Sequence, residues 1–224
     1  MTIEIRPLQE SDIPTFVHVE LDAFKPHPRT PIMWPRGYTS DLYAFSEAGK
    51  RKGFLDGRQR YMKAVDTTTD VIVGVTEWTF NTENPKDYGQ QELPDQNAQP
   101  PSNWPIGGNW ILRQWYKGNI KKILNERVAG EPFIMLDNLT ILPAHQGRGI
   151  GSLLLSWGVE QADRLGCKIC LESTPIGLAI YHKFGFEEVE DINCDMRKVA
   201  GVTVPYDDES ARRIFMVRPA RKST

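Results

Sequence analysis

The chain has 224 residues, of which 40% are hydrophobic and 25% charged, and its formal net charge is −2. This length favours a single domain over residues 1–224 with one well-buried core, and the composition is that of a globular protein. A nearly neutral chain lacks the global basic field that attracts nucleic acid or an anionic membrane surface.

The start of the chain, "MTIEIRPLQESD", has no cationic segment followed by an apolar one, and no run approaches the roughly 18 apolar residues of a membrane span. We therefore expect a cytoplasmic location and neither a membrane nor a nucleic-acid partner. The three cysteines are too few for a disulfide framework. Cys167 and Cys170 form a C-x-x-C, but they fall in "CKICLES", which predicts the start of a buried strand, where residues three apart point to opposite faces. We expect both to pack in the core, and no metal site is predicted.

The first part of the chain alternates strand and helix patterns. "IEIRP" predicts a short strand, and "SDIPTFVHVELDAF" predicts a helix with Pro14 in its first turn. Residues 26–39 contain several prolines and predict a loop, after which a helix is expected from residue 40 to about residue 55. "RQRYMKAVD" and "DVIVGVTEWTF" are β-rich runs separated by "TTT", which indicates an antiparallel hairpin.

Residues 81–109 change character, being rich in Asn, Gln, Pro and Gly without any period, and they predict a long loop. The following segment, "WILRQWYKGNIKKILNER", has a helical composition, although Gly118 lies between two apolar faces and suggests a break. Residues 81–127 are therefore interpreted as an insertion, a loop plus a helix, within the single domain.

The rest of the chain carries the stronger signals. "PFIMLDNLTIL" predicts a strand, residues 149–165 a helix ended by Gly166, and "KICLES" another strand. "IGLAIYHKFG" predicts a short helix, and "FEEVEDINC" and "RRIFMVRP" two closing strands. In the long helix, Ile150, Leu153, Leu154 and Trp157 follow a helical spacing and are predicted to face the core.

A glycine-rich loop, "QGRGIG" at residues 146–151, opens that long helix. A dinucleotide-binding loop needs G-x-G-x-x-G, whereas Gly147, Gly149 and Gly151 are spaced two and two. A P-loop needs Lys-Ser/Thr after its last glycine, and Ser152 is followed by leucine. The remaining interpretation is a loop whose backbone amides, at a helix N-terminus, face a pyrophosphate.

These residues resemble the Q/R-x-x-G-x-G/A motif of the GNAT superfamily of N-acetyltransferases. The resemblance extends over residues 131–190, because "LTILP" looks like the family's splayed strand and "LESTPIGLAIYHKFGF" like the strand, helix and turn that follow. It implies an α/β fold with a mixed, mostly antiparallel sheet that is splayed at the coenzyme site and has helices on both faces. It also implies acetyl-CoA as a co-substrate. The coenzyme-binding positions it implies are Leu139, Thr140, Ile141, Gln146, Gly147, Arg148, Gly149, Ile150, Gly151, Ser152 and Lys183.

The catalytic positions are less clearly indicated. Tyr181 matches the tyrosine that family members commonly place beside the coenzyme sulfur, where a phenol can protonate the departing thiolate. Family members often carry a glutamate where this chain has Met135. Asp137, on the same strand face, and Glu77 are the alternative candidates for the general base.

The resemblance implies acetyl transfer from acetyl-CoA to an amine of a small molecule by direct attack, with a homodimer as one possible assembly. A transferase that uses another acyl-CoA or a hydroxyl acceptor, and a non-catalytic acyl-CoA-binding module, share the same motifs and stay open. We expect residues 26–60 and 81–127 to build the acceptor site. Their aromatic residues suggest an apolar or aromatic acceptor: Trp34, Tyr38, Trp104, Trp110, Trp115 and Tyr116.

Overall fold

The computed structural model of the chain describes residues 2–83, 95, 97–128 and 130–221. Its strands form one mixed sheet in the order β1-β2-β3-β4-β5-β7-β6, in which β4 and β5 are parallel and the other neighbours antiparallel. The strands are β1 Ile3–Pro7, β2 Gln59–Asp66, β3 Val71–Asn81, β4 Phe133–Ile141, β5 Lys168–Ser173, β6 Glu187–Ile192 and β7 Arg213–Arg218. The helices are α1 Ile13–Phe24, α2 Thr30–Met33, α3 Ser40–Asp56, α4 Trp110–Arg127, α5 Ile150–Leu165, α6 Leu178–Lys183, α7 Met196–Ala200 and α8 Asp208–Ala211.

Two apolar clusters cover the opposite faces of the sheet. One cluster joins α4 to one face of the sheet, which carries Met135 of β4, Cys170 of β5 and Phe215 of β7. The other joins α5 to the opposite face, which carries Leu136 of β4 and Leu171 of β5. Strand alternation explains this division, and it confirms the predicted α/β fold with helices on both faces.

The predicted burial of the two cysteines is confirmed. Cys167 packs in the cluster on the α5 face and Cys170 in the cluster on the α4 face, and both are free thiols. Burial raises the pKa of the Cys170 thiol to about 12, so this side chain stays a protonated, apolar core residue.

Helix α5 packs closely on the sheet through Gly158. A Cβ atom added to Gly158 would lie 2.2 Å from the indole ring of Trp78, which is fully buried on β3. The glycine therefore allows a close approach that any side chain would prevent. The buried side of α5 includes Ile150 and Leu154, whereas Leu153 is 47% exposed at its edge, so the prediction that Leu153 faces the core is wrong.

The sheet opens where β4 and β5 separate. The two strands pair from Phe133 with Lys168 to Leu136 with Leu171, and the ladder stops there although both strands continue. On its other edge β4 stays paired with β3 as far as Ile141. The predicted opening of the sheet between these two strands is confirmed, and the gap begins at the residue after Leu136.

A β-bulge in β4 coincides with the start of this gap. Trp78 pairs with Leu136 and Glu77 with Asn138, so Asp137 is the extra residue of β4. A bulge turns two successive side chains towards one face of the sheet. Asp137 and Asn138 accordingly both point towards the face that carries Glu77, where alternation alone would have sent Asn138 to the other side.

Some predictions of local structure are corrected. The segment 26–39 is not only loop, because Thr30–Met33 form α2 with Pro31 in its first turn. Helix α4 runs without a break through Gly118, since its buried face outweighs the propensity cost of one glycine. Residues 84–94 and 96 of the predicted long loop lie outside the described residues, and the assignment of 81–127 as an insertion stays a prediction.

Candidate active site

The glycine loop has the backbone geometry of an anion cradle. Gly147 and Gly149 adopt φ values of +72° and +80°, and Cβ atoms added there would meet nothing within 4 Å. Gly149 is the N-cap of α5, and the nitrogens of Gly149, Ile150 and Gly151 make no backbone hydrogen bond within the described chain. First-turn amides lack partners within their own helix and lie at the positive end of its dipole. The loop thus presents open amides to an anion.

The free edge of β4 is the second element of this site. The N–H of Leu142 donates to the carbonyl of Val73, 2.9 Å away, on the β3 side. By alternation, the backbone groups of Ile141 and Leu139 point to the other edge, into the gap between β4 and β5. An extended amide-containing chain can therefore pair with these groups, as the sequence resemblance implies for pantetheine.

The other predicted coenzyme residues lie on the loop, on β4 and at the end of α6. Gln146 donates through Nε2 to the carbonyl of Ile141 at 3.0 Å, which ties the loop to the end of β4. Thr140 is buried, and its hydroxyl donates to Asn138 Oδ1 at 2.9 Å, so its side chain makes a hydrogen bond within β4. Arg148 and Lys183 are exposed. A role for the two cations in phosphate binding stays a prediction.

Tyr181 lies on α6 with its ring buried in the cluster on the α5 face. It stacks edge-on against Phe186, with ring centroids 5.7 Å apart, and only 8% of the residue is exposed. Burial raises the pKa of the phenol to about 12, which keeps it a proton donor throughout the neutral range. It does not line the cleft that holds Asp137 and Glu77, and its ring packs in the cluster on the other face of the sheet.

A cleft of about 590 Å³ opens on the opposite face from α5. Helices α1, α2 and α3 and the strand residues around the bulge form it. Its apolar wall is aromatic, with Trp34 and Trp104 at 5.3 Å between ring centroids and Phe45 against Trp104 at 5.2 Å. Trp34, Tyr38 and Trp104 of the predicted aromatic set line the cleft, whereas Tyr116 packs in the core cluster.

Glu77 is the more strongly anchored of the two candidate bases. It forms an ion pair with Lys50 from α3, and one of its oxygens accepts from the Tyr61 hydroxyl at 3.0 Å. Lys50 also contacts Glu20 of α1 at 3.2 Å. Burial opposes the charge of Lys50, but the two carboxylates outweigh it and raise the pKa of its ammonium. The charge of Glu77 is thus compensated within the protein.

Within the described ranges Asp137 forms no ion pair, although the nearby charge of Lys50 offsets part of the rise in its pKa. Its carboxylate accepts a hydrogen bond from Thr79 Oγ1 at 2.5 Å and is otherwise exposed in the cleft. Desolvation and the negative charge of Glu77 together raise the pKa of Asp137 to about 7. An open carboxylate with a pKa near neutrality, at the point where β4 and β5 separate, has the properties of a general base.

Three residues of this arrangement were not singled out from the sequence. Lys50 and Glu20 come from helices far along the chain, and Asn138 donates to Glu20 at 2.7 Å. Only the bulge brings Asn138 to this face, and a bulge has no signature in a single sequence. Lys50 lies in a helix rich in charged residues, where nothing distinguishes it from its solvated neighbours.

In the part of the chain that the structure describes, no group of three or more His, Cys, Asp or Glu side chains could hold a metal ion. Within those same ranges, no helix combines the length and hydropathy that crossing a bilayer requires.

Comparison with known proteins agrees with the interpretation of the glycine loop. The family model "Acetyltransferase (GNAT) domain" matches residues 110–188. A curated relative, the probable acyltransferase SID5 of Ajellomyces capsulatus, is 40% identical over 81 residues. That match covers 36% of this chain, and the chain spans about half (47%) of the relative's length.

Solved structures share the fold over most of the chain. The histone acetyltransferase HPA2 and related acetyltransferase of Corynebacterium glutamicum superposes with a TM-score of 0.61 at 21% identity, covering 100% of this chain and 99% of that one. A GNAT superfamily phosphinothricin acetyltransferase of Sinorhizobium meliloti, in complex with AcCoA, gives 0.59 at 15% identity, with 98% and 89% covered. At these identities the likeness concerns the fold, whereas the family model and the loop concern the site. Residues 110–188 therefore match the acetyltransferase (GNAT) domain model, and the chain as a whole has the fold of these acetyltransferase structures.

Proposed function

We propose that this protein transfers the acetyl group of acetyl-CoA to an amine of a small molecule by direct attack, without a covalent enzyme intermediate. The observation that carries the proposal is the position of Asp137, an open carboxylate at the gap between β4 and β5, on the strand that leads into the glycine loop. The family match and the acyltransferase relative support the same reaction class.

The residues that would hold the coenzyme are those of the loop and the free strand edge. The amides of Gly149, Ile150 and Gly151 suit the pyrophosphate, because they are open and lie at a helix N-terminus. The backbone of Leu139 and Ile141 suits the pantetheine amides. When bound, acetyl-CoA supplies a thioester carbonyl and a thiol leaving group.

On the acceptor side, Asp137 removes the proton from the attacking amine, directly or through water. Its raised pKa lets it be ionised at neutral pH and still accept a proton readily. Glu77 cannot serve equally well, since Lys50 and Tyr61 already occupy its carboxylate. We assign Glu77 instead to positioning, because its negative charge next to Asp137 contributes to the raised pKa.

On the coenzyme side, Tyr181 is assigned to protonating the departing thiolate. Its buried phenol stays protonated at neutral pH, and its hydroxyl has no hydrogen-bond partner among the described residues. A hydroxyl without an internal partner is available to a ligand atom.

The test is a screen of small amines with acetyl-CoA that detects the free thiol of CoA and identifies the product by mass spectrometry. Acetylation at nitrogen supports the proposal, and acetylation at oxygen would assign a hydroxyl acceptor instead. A series of acyl-CoA esters of increasing length, run with the best acceptor, tests the preference for acetyl. CoA binding by calorimetry without thiol release for any acceptor would favour a non-catalytic binding module.

The control variants separate the coenzyme site from general damage. Gly149→Val places a β-branched residue at φ +80° in the loop, whereas Gly201→Val places it at φ +60° in an equally open position after α7. Both substitutions strain the backbone in the same way. Loss of CoA binding only in Gly149→Val therefore assigns the effect to the loop.

A further inference from the structure

The cleft is electrically divided into two sides. On the β3 and β4 side, three carboxylates (Glu20, Glu77 and Asp137) face one ammonium, that of Lys50. The other side lies towards β5 and β7, where cations outnumber carboxylates. Arg29, Arg113 and Arg213 line the cleft there, and Glu172 lies behind them in contact with Arg213.

Glu172 and Arg213 form the fixed part of the cationic side. They are cross-strand neighbours, since Glu172 pairs with Phe215 across the β5–β7 ladder, and Arg213 Nε donates to the Glu172 carboxylate at 2.5 Å. Burial opposes the ionised form of Glu172, but Arg213, Arg29 and Arg113 outweigh it and hold the pKa of this carboxyl below its usual value. One carboxylate thus stands among three guanidinium groups.

Arg29 forms no ion pair with a carboxylate within the described chain, and its surroundings are the most closely defined of these cations. It lies over the ring of Tyr116, with its guanidinium carbon 3.6 Å from the ring centroid, and lines the cleft. Its Nε is buried and has no hydrogen-bond partner there. Burial and the nearby charge of Arg213 lower the pKa of Arg29 to about 10, which still leaves it charged at neutral pH. A buried, unpartnered guanidinium N–H is unfavourable unless a ligand supplies an acceptor.

His27 adds a second donor of the same kind. Its Nδ1 accepts from the backbone N–H of Arg29 at 3.2 Å, so the proton of the neutral ring is on Nε2. That Nε2 is buried and without a partner in the described chain, and His27 also lines the cleft. Burial, Arg213 and Arg29 lower the pKa of this imidazole to about 4, so it is a neutral donor near neutral pH.

We propose that the acceptor is an amine that also carries a carboxylate, which binds to Arg29, Arg113 and the Nε2 donor of His27 while the amine faces Asp137. The aromatic wall of Trp34 and Trp104 lies in the same cleft, where it can contact the apolar part of such a molecule. This inference rests on the proposed acetyl transfer for the role of the amine, whereas the anion site stands on its own contacts.

The activity test uses a panel of aromatic and aliphatic amino acids in which the separation of amine and carboxylate varies. Each acid is compared with its own carboxamide. We expect the acids to have a KM about 10- to 100-fold lower than their amides, the range for a charge-assisted contact. Arg29→Gln should remove this preference by raising the KM of the acid, and Arg29→Lys should restore part of it. Arg164→Gln, an exposed arginine of α5, is the control.

The binding test does not depend on turnover. An aromatic carboxylate without an amine, 3-phenylpropanoate, is titrated into the protein by calorimetry beside 3-phenylpropanamide. The anion site is supported if 3-phenylpropanoate binds and 3-phenylpropanamide does not, and if Arg29→Gln loses this binding but keeps its CoA affinity. This result holds even if no amine in the panel is acetylated. Equal KM values for acids and amides overturn the inference. If no amine in the panel is acetylated, a failure of 3-phenylpropanoate to bind overturns the inference as well.

Discussion

Replacing Asp137 by Asn tests the assignment of the general base most directly. The amide keeps the size of the side chain and can still accept from Thr79 Oγ1, so the fold of the bulge should persist. It cannot take a proton at neutral pH. General-base contributions of this kind are about 10²- to 10⁴-fold, and we expect the turnover number to fall by that factor. The affinity for CoA should stay unchanged, since the glycine loop lies on another element.

The same substitution should stabilise the protein, because the fold disfavours the ionised form of Asp137. Because folding raises the pKa of Asp137 from 3.8 to about 7, its protonated carboxyl contributes to the free energy of unfolding. This contribution is fully present below pH 3.8 and is lost as the pH rises through 7. The whole shift would correspond to about 4 kcal/mol. Solvent in the cleft screens an open carboxylate, so about 1–2 kcal/mol is the expected gain at pH 8. This corresponds to a melting temperature higher by about 2–8 °C.

The assay is the pH profile of kcat/KM for one acceptor, with melting curves at pH 4 and pH 8. For the parent protein, kcat/KM should rise with pH through about 7 as Asp137 loses its proton, and this limb should be missing in Asp137→Asn. Glu160→Gln, which alters an exposed carboxylate of α5, is the matched control. A turnover number within about threefold of the parent, with chemistry rate-limiting, would refute the role of Asp137 as base.

Three further predictions concern the coenzyme side and the core. Gly149→Val should weaken CoA binding about tenfold or more, because φ is +80° there and the loop amides must stay open; an unchanged affinity in a folded variant would contradict the site. Tyr181→Phe should leave CoA binding intact and lower turnover by up to about 10²- to 10⁴-fold at any neutral pH; a value within about twofold would leave Tyr181 a packing residue. Gly158→Ala should cost about 1–3 kcal/mol of unfolding free energy in urea, since its methyl group meets Trp78, whereas Gly49→Ala in α3 meets nothing and should stabilise slightly. Equal effects of the two alanines would show that Gly158 is not required for close packing.

The C-terminal half was predictable because its signals are local. The glycines of the loop, the apolar periodicity of α5 and the β-rich run from residue 168 each specify one element within a short window. The C-x-x-C illustrates how far such reasoning reaches. Strand alternation was enough to predict that Cys170 on β5 and Cys167 just before it face opposite sides of the sheet, and the two core clusters confirm it. Short α7 and α8, in contrast, have no periodicity to detect.

The cleft beside Asp137 could not be predicted in the same way, because long-range contacts create it. Asp137 was among the candidates, but its advantage over Glu77 depends on which of them Lys50 reaches. That contact joins α3 to β3 and has no trace in either segment alone. The bulge has the same character, since it is a property of the register between β3 and β4 and decides where Asn138 points.

The cleft contains several arrangements that folding alone would not select. Asp137 is held close to Glu77 with a pKa well above its ordinary value, and the guanidinium of Arg29 has a buried donor without a partner in the described chain. Each of these lowers the stability of the folded state. Elsewhere the same fold pairs its buried charges, as Arg218 with Asp163 at 2.8 Å shows. Because unfavourable groups of opposite sign line one cleft, a molecule with a cationic and an anionic end would relieve both of them at once. The cleft is thus better suited to an acceptor with two charged groups than to a simple amine.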